Sequence, residues 1–205
     1  MLTRKNITNY LSNITRIITK SSTAEKVAEN WHEDFIMSLA KIMRPNLYLE
    51  LGLYQCELFN KIIPYADVLI GIDINSDAGK FMLKTGKARF VNTSTDEYAK
   101  KLLRKPLSID MLFIDANHSA KAVEKDFYNY FPFVSPHGLI IFHDTHPKNY
   151  DYINPGYCGD CYKTIRKLSY QTKDYEMVTI PVHPGLTICR KRKSQLKWQE
   201  KSKFK

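Results

Sequence analysis

Short apolar runs alternate with amphipathic segments along the chain. In the clearest case, Met111–Ile114 and Leu139–Phe142 are apolar runs that end in acidic or histidine residues. Between them, Val123, Phe127 and Phe131 recur at helical spacing. Uninterrupted apolar runs of this length, separated by a helix, indicate parallel strands buried on both faces. We predict one βαβ unit here, whose right-handed crossover brings the ends of both strands to one edge of the sheet.

The same alternation extends from residue 47 to residue 144. Further strands are predicted at Leu47–Leu51, Val68–Ile74 and Ala88–Val91, and helices at Glu57–Ile63 and Tyr98–Leu103. Residue 144 is followed by a loop at Pro147–Tyr157, a helix at Cys161–Leu168 with Asp160 as its N-cap, and two short strands at Met177–Val182 and Leu186–Cys189. The pattern predicts an α/β fold with a doubly wound, mostly parallel sheet and an antiparallel C-terminal strand pair.

Two amphipathic helices are predicted before the first strand. The apolar face of the first is formed by Ile7, Tyr10, Leu11, Ile14, Ile17 and Ile18, and we expect it to pack on the domain or to form a homodimer. The second begins at Thr23 and ends before Pro45, with a buried stripe of Val27, Trp31, Phe35, Leu39 and Ile42. We divide the chain into a helical segment at 1–45, a domain at 46–190 and a basic tail at 191–205.

The net charge of +10 on 205 residues raises the question of an acidic partner. Much of the excess lies at the two ends, and a basic tail without apolar periodicity is usually a solvated end. A nucleic-acid partner is the alternative. No apolar run approaches the ~20 residues that cross a bilayer, and the basic N-terminus lacks the apolar core of a signal peptide. We therefore expect a cytoplasmic protein with no membrane span and with four reduced cysteines.

Polar side chains follow the two strands of the βαβ unit. They are Asp115, Asn117, His118, His143, Asp144 and His146. Because ligands of open α/β sheets bind at the carboxyl edge, we expect these side chains to gather there. Asp115 and Asp144 at one edge beside a histidine favour a functional site over residues that merely cap the next element.

The turn after the first strand contains one glycine, Gly52, where a dinucleotide-binding enzyme has three. A Walker-type phosphate loop is also missing from the sequence. A ligand without a pyrophosphate needs fewer glycines, because less backbone must approach a bulky anion. Asp73, at the end of the second strand, suits a pair of ribose hydroxyls.

These residues resemble class I S-adenosylmethionine-dependent methyltransferases, and most closely the small-molecule O-methyltransferases of the catechol and macrolide-sugar type. The resemblance covers Leu47–Arg190. It is most specific at Asp110–Ser119 and Phe142–Thr145, where the family has D-L-x-F-I-D-G-x-H and then H-D or D-D. The ending His183–Arg190 also matches the family's last strands. The resemblance implies S-adenosylmethionine as cofactor and a Rossmann-like fold.

The resemblance also implies roles for individual residues. Cofactor contacts fall on Glu50, Gly52, Tyr54, Asp73, Ile74, Thr93, Ser94 and Asp115. Asp115 and Asp144 become metal ligands, and His143 is either a third ligand or a residue that flanks the site. His118 occupies the position of a general base in some relatives, so that His118 and Asp115 are the expected catalytic residues.

Methyl transfer from a sulfonium requires that the nucleophile be aligned and deprotonated. Proton transfer from a phenol, with a pKa of ~10, to a histidine, with a pKa of ~6.5, is uphill by about 5 kcal/mol. A divalent ion on the substrate oxygen supplies several kcal/mol of this deficit, and oxygen ligands favour Mg²⁺ or Mn²⁺. We predict a metal-assisted O-methyltransferase for a hydroxylated small molecule such as a sugar, polyketide or phenol.

Two other functions remain open on the sequence. The basic ends are the reason to consider a nucleic-acid-binding protein or an RNA methyltransferase. Cys56 and Glu57 stand where the family usually has small residues, often glycine, and favour a cofactor-binding protein without catalysis. Ala116 and His137 replace further common glycines.

Two motifs lie in the C-terminal third of the chain. Tyr150, Tyr152 and Tyr157 either line an acceptor pocket or belong to a surface loop. The segment Cys158–Cys161 has the C-x-x-C form of redox and half-zinc motifs. Because a zinc site usually needs four ligands, we expect plain loop and helix residues there.

Overall fold

The computed structural model describes residues 30–171 and 174–191. The chain divides into two compact units, 1–35 and 36–205. The predicted first helix, the N-cap Thr23, Val27 and the basic residues after 191 lie outside the described residues. No helix in the described ranges combines the length and apolar character required to cross a membrane.

The described residues form five α-helices and seven β-strands. The helices are α1 (Trp31–Met43), α2 (Glu57–Ile62), α3 (Thr95–Arg104), α4 (Ala120–Tyr130) and α5 (Tyr162–Ser169). The strands are β1 (Leu47–Leu51), β2 (Val68–Asp73), β3 (Ala88–Asn92), β4 (Ile109–Ile114), β5 (Val134–His143), β6 (Tyr175–Ile180) and β7 (Leu186–Lys191). Short 3₁₀ helices lie at Ile63–Tyr65, Ser76–Phe81, Phe131–Phe133 and Tyr150–Ile153.

The strands form one sheet in the order β3-β2-β1-β4-β5-β7-β6. The first five in this order are parallel, and β7 is antiparallel to both β5 and β6. The prediction of a doubly wound, mostly parallel sheet with an antiparallel C-terminal pair is confirmed. The strand order reverses between β1 and β4, and a reversal of this kind opens a ligand crevice at the carboxyl ends of the strands.

An aromatic cluster anchors α4 on the sheet. The ring of Phe127 has its centroid 5.1 Å from that of Phe131, 5.9 Å from that of Phe142 and 5.1 Å from that of Tyr175. Val123 and Phe127 are buried and Phe131 packs against the same core, as their helical spacing predicts. This packing holds the helix that connects β4 to β5.

Two predicted positions differ from the structure. Ile42 is 79% exposed, so the prediction that it belongs to a buried stripe is wrong, and Ile36 and Ala40 are the fully buried apolar residues of α1. Ile42 lies six residues after Ile36, which turns it about two-thirds of a turn away from the buried face. Pro136 and Gly138, whose residue types predict a turn before the last parallel strand, lie inside β5 at an irregularity in its pairing with β4.

The end of β1 passes very close to the end of β4. Gly52 has φ +85°, and a Cβ atom on it would lie 2.3 Å from the backbone oxygen of Asp115. Asp115 N also donates a hydrogen bond to Leu51 O at 2.8 Å. Only glycine fits this conformation and this contact, so the single glycine of the turn is needed to bring two strand ends together.

We predict that Gly52→Ala lowers the free energy of unfolding by about 2 kcal/mol or more, because it combines backbone strain with a collision. In a protein of this size the melting temperature should fall by about 5 °C or more. Gly86→Ala is the matched control, since a Cβ atom there meets nothing within 4 Å. Equal melting temperatures for the two variants would contradict the prediction.

A second prediction concerns Asp126, a buried carboxyl group on α4. Burial raises its pKa from 3.8 to about 6, against a hydrogen bond with the Thr95 side chain that lowers it. Because the folded-state pKa lies above the unfolded one, folding favours the protonated acid. Stability from this group is present at low pH and is lost as the pH rises from about 4 through 6.

Asp126→Asn should therefore stabilise the protein by about 1–3 kcal/mol at pH 7.5 and by little at pH 4, as measured by urea unfolding. The exposed Asp67→Asn removes the same charge at the surface and serves as the control. A gain that is equal at both pH values would rule out this explanation.

Candidate active site

The ends of β4 and β5 bring two carboxylates and two imidazoles together. His143 Nδ1 lies 3.1 Å from Asp115 Oδ1 and 3.5 Å from Asp144 Oδ2. His118 Nδ1 lies 3.0 Å from Asp144 Oδ2, and His118 Nε2 lies 3.4 Å from Asp115 Oδ1. We call these four residues the carboxylate–histidine cluster. The expected meeting of two distant acidic turns at one sheet edge is therefore present.

Three members of the cluster are close enough to share an ion. One ligand atom each from Asp115, His118 and Asp144 lie within 4.8 Å of one another. The sequence prediction placed His143 third, and in the structure its Nδ1 atom faces the two carboxylates. Asn117 does not join these contacts, because its Oδ1 accepts a hydrogen bond from Ser119 N in the turn before α4. His146 is exposed, and its backbone N–H donates to Pro184 O.

The charges of the cluster compensate one another. Burial alone would raise the pKa of Asp115 and Asp144, but the neighbouring imidazoles hold both values below their usual range. The hydrogen bond to Asp115 raises the pKa of His118 to about 9. Burial would lower the pKa of His143, yet the two carboxylates raise it to about 10. The carboxylates thus favour the protonated form of both imidazoles, and a divalent cation would supply the same compensating positive charge.

Asp73 joins two loops at the neighbouring part of the edge. Its Oδ2 atom accepts hydrogen bonds from Leu53 N at 2.8 Å and Tyr54 N at 3.3 Å, and its Oδ1 atom accepts one from Asn75 N at 2.7 Å. A carboxylate has about four acceptor positions. The Asp73 carboxylate therefore has one acceptor position left for a further donor, such as a ribose hydroxyl in the expected role.

The other residues expected at the cofactor lie along the same edge. Glu50 is buried and accepts a hydrogen bond from Tyr48 Oη at 2.5 Å. Tyr54 and Ile74 are 80% and 79% exposed, so they present apolar surface that a planar ring can cover. Thr93 N donates to Asp73 O, and Ser94 Oγ accepts from Glu97 N as the N-cap of α3.

Cys56, which replaces a usual glycine, has φ +57° and a fully buried side chain. Its Sγ atom lies 3.3 Å from Ala78 O. Burial, followed by the charges of Glu50 and Asp73, raises the pKa of Cys56 to about 11. The Cys56 side chain is therefore accommodated in the protein interior, while Glu57 is exposed on the first turn of α2.

Asp160 does not cap α5, so this prediction is wrong. The helix begins one residue later, with Cys161 at the N-cap position and without a side-chain cap. Asp160 Oδ1 instead accepts a hydrogen bond from Ala120 N at 2.7 Å, at the start of α4. Two helices that are 40 residues apart in sequence are joined by this contact, which no local pattern reveals.

The two thiols of Cys158 and Cys161 are free and buried. Burial and the nearby Asp144 raise the pKa of Cys158 to about 12 and that of Cys161 further. A raised pKa disfavours the thiolate that redox chemistry and zinc binding require. The raised pKa values therefore argue against a redox or zinc-binding role for this motif.

A cavity of about 170 Å³ lies beside the cluster. His118 and Asp144 form part of its wall, and Tyr152, Tyr157 and His183 form another part. The ring of Tyr152 has its centroid 4.3 Å from that of His183 and 5.6 Å from that of Tyr157. Sequence reasoning missed His183, because nothing local indicates that the turn between β6 and β7 reaches this edge.

Comparison with known proteins identifies the family of this chain. The model of a family described as a methyltransferase domain matches residues 35–145, more than half of the chain. A search of curated protein sequences gives no significant match.

Solved structures with the same fold include three described as O-methyltransferases. One from Bacillus cereus, in complex with SAH, has a TM-score of 0.67 and 12% identity, over 88% of this chain and 91% of that one. A putative caffeoyl-CoA O-methyltransferase from Staphylococcus aureus has a TM-score of 0.65 and 19% identity, over 90% and 98%. TomG from Streptomyces achromogenes, which is involved in tomaymycin synthesis and was solved with SAM, has a TM-score of 0.58 and 15% identity, over 82% and 89%.

At these identities the structural likeness shows a common fold, and the family match covers the strands that build the edge. The chain therefore belongs to the methyltransferase-domain family and is a class I S-adenosylmethionine-dependent methyltransferase.

Proposed function

We propose that this protein transfers the methyl group of S-adenosylmethionine to a hydroxyl oxygen of a small molecule, with the help of a divalent cation. The observation that carries the proposal is the carboxylate–histidine cluster, which lies at the same sheet edge as the Gly52 turn and Asp73. The O-methyltransferase descriptions of the similar structures support transfer to oxygen.

The donor set of the cluster fits a small divalent cation. Asp115 and Asp144 would hold it, with His143 as the predicted third ligand and His118 within the same group of ligand atoms. Carboxylate oxygens favour Mg²⁺ or Mn²⁺ over softer ions. A bound cation supplies Lewis acidity that lowers the pKa of the acceptor hydroxyl.

His118 is the proposed general base. Its Nδ1 atom lies 2.5 Å from Tyr157 O, and a carbonyl oxygen only accepts hydrogen bonds. Nδ1 therefore carries a hydrogen, and Nε2 is the atom that exchanges a proton. While no cation compensates the charges of Asp115 and Asp144, these charges raise the pKa of the His118 imidazole and favour its protonated form. Once those charges are neutralised, the imidazole can accept the proton of the acceptor.

The cavity beside the cluster is the proposed acceptor site. Its volume of about 170 Å³ is close to that of a ~150 Å³ cavity that binds benzene. It therefore suits one ring of the acceptor, such as a phenol or a sugar ring, while the rest of the molecule lies outside. The aromatic wall of Tyr152, Tyr157 and His183 offers faces and edges against which a ring can pack.

Substitutions in the cluster should separate ion binding from proton transfer. We expect Asp115→Asn and Asp144→Asn to weaken Mn²⁺ binding by more than the 10–100-fold typical of outer-shell changes. His118→Ala should reduce kcat by about 10²–10⁴-fold, as expected for a lost general base. His143→Ala should weaken Mn²⁺ binding more than it affects kcat at saturating metal.

Calorimetry with Mn²⁺ and with S-adenosylmethionine, combined with turnover on a panel of phenols and sugars, measures these effects. Asp67→Asn at the surface is the control. The proposal fails if Asp115→Asn and His118→Ala fold normally and methylate as fast as the wild type. Cofactor binding without turnover on any hydroxylated acceptor would instead support a protein that has lost catalysis.

The acceptor cavity has its own test. Tyr152→Ala should raise the KM of ring-bearing acceptors about 10-fold, because an aromatic contact is worth about 0.5–1.5 kcal/mol beyond its buried area, with little change in the affinity for S-adenosylmethionine. Tyr150→Ala, on the same loop but 85% exposed, should leave the KM unchanged. Equal KM values for both variants would show that the acceptor binds elsewhere.

A further inference from the structure

Asp144, a proposed metal ligand, has a left-handed backbone conformation. Its φ is +59°, and it is buried. The left-handed region costs most L-residues roughly 1–2 kcal/mol, although aspartate tolerates it better than most. Contacts with neighbouring groups stabilise such a conformation.

Two thiols of the Cys158–Cys161 segment contact Asp144. Cys161 Sγ donates a hydrogen bond to the backbone oxygen of Asp144 at 2.9 Å and lies 3.6 Å from His143 O. The Cys158 thiol lies beside the Asp144 carboxylate, and both residues line the same cavity. One cysteine thus contacts the peptide of Asp144 and the other faces its carboxylate.

The same segment also holds His118. Asp160 N donates to His118 O at 3.1 Å, and Tyr157 O accepts from the imidazole. Gly159 has φ +60°, and a Cβ atom on it would lie 2.4 Å from His118 O. The segment therefore passes directly against the backbone of His118 while its thiols face Asp144.

We propose that Cys158 and Cys161 are positioning residues, whose thiols hold Asp144 in the conformation that binds the cation. This inference rests on the proposed function, because the cation is the one assigned to Asp115 and Asp144. It gives the C-x-x-C motif a role without a disulfide and without a sulfur–metal bond.

Removal of the thiol donor from Cys161 tests the inference. Cys161→Ala should weaken Mn²⁺ binding by about 10–100-fold, as outer-shell substitutions do. Cys161→Ser keeps a donor and should restore Mn²⁺ affinity to within about 3-fold of the wild type. Titration calorimetry measures affinity, and thermal unfolding identifies the folded variants. Cys189→Ala is the matched control, since this buried cysteine of β7 pairs with Ile140 in the interior of the sheet.

Each outcome decides the question. Weaker Mn²⁺ binding by Cys161→Ala, together with near wild-type Mn²⁺ binding by Cys161→Ser, supports positioning by the thiol hydrogen bond. A folded Cys161→Ala that binds Mn²⁺ like the wild type overturns the inference alone, and so does an equal loss in the Ala and Ser variants. A wild-type protein that binds no Mn²⁺ overturns the metal-assisted function and the inference with it. If Cys161→Ala does not fold, Cys158→Ala and Cys158→Ser decide by the same criteria.

Discussion

The two carboxylates at the ends of β4 and β5 set the main physical constraint on this protein. Parallel pairing of the strands brings Asp115 and Asp144 to one edge, with a carboxylate oxygen of each within 4.8 Å of the other. Two like charges at about that distance repel by roughly 3–4 kcal/mol at an effective dielectric constant of ~20. His118 and His143 contact both carboxylates and supply the opposite charge. The imidazoles offset the repulsion between the carboxylates, and the proposed cation would do the same in their place.

The fold places this cluster next to the cofactor edge through the reversal of strand order between β1 and β4. Gly52 allows the turn after β1 to pass against Asp115, and Asp73 fastens that turn to the loop after β2. The buried strands provide a rigid base, while the exposed side chains of Tyr54 and Ile74 remain at the rim. Methyl donor and proposed cation are thereby expected on adjacent strand ends, as alignment for methyl transfer requires.

Segments that follow β5 in the chain form the remaining part of this edge. The Tyr157 carbonyl orients His118, and the Cys158–Cys161 segment contacts the backbones of His118 and Asp144. His183 in the turn between β6 and β7 adds an aromatic wall to the cavity. The sheet thus positions the carboxylate–histidine cluster, and these later segments shape the proposed acceptor cavity.

The sequence by itself determined the parallel strands, because continuous apolar runs have few other places to be buried. It also determined the acidic residues at the strand ends, since right-handed crossovers leave both ends on one edge. Only the tertiary structure decided that β7 lies between β5 and β6, that Asp160 accepts a hydrogen bond from the first residue of α4, and that the Cys161 thiol contacts Asp144. These features depend on contacts between segments far apart in the chain, whose energies no local pattern of polar and apolar residues contains.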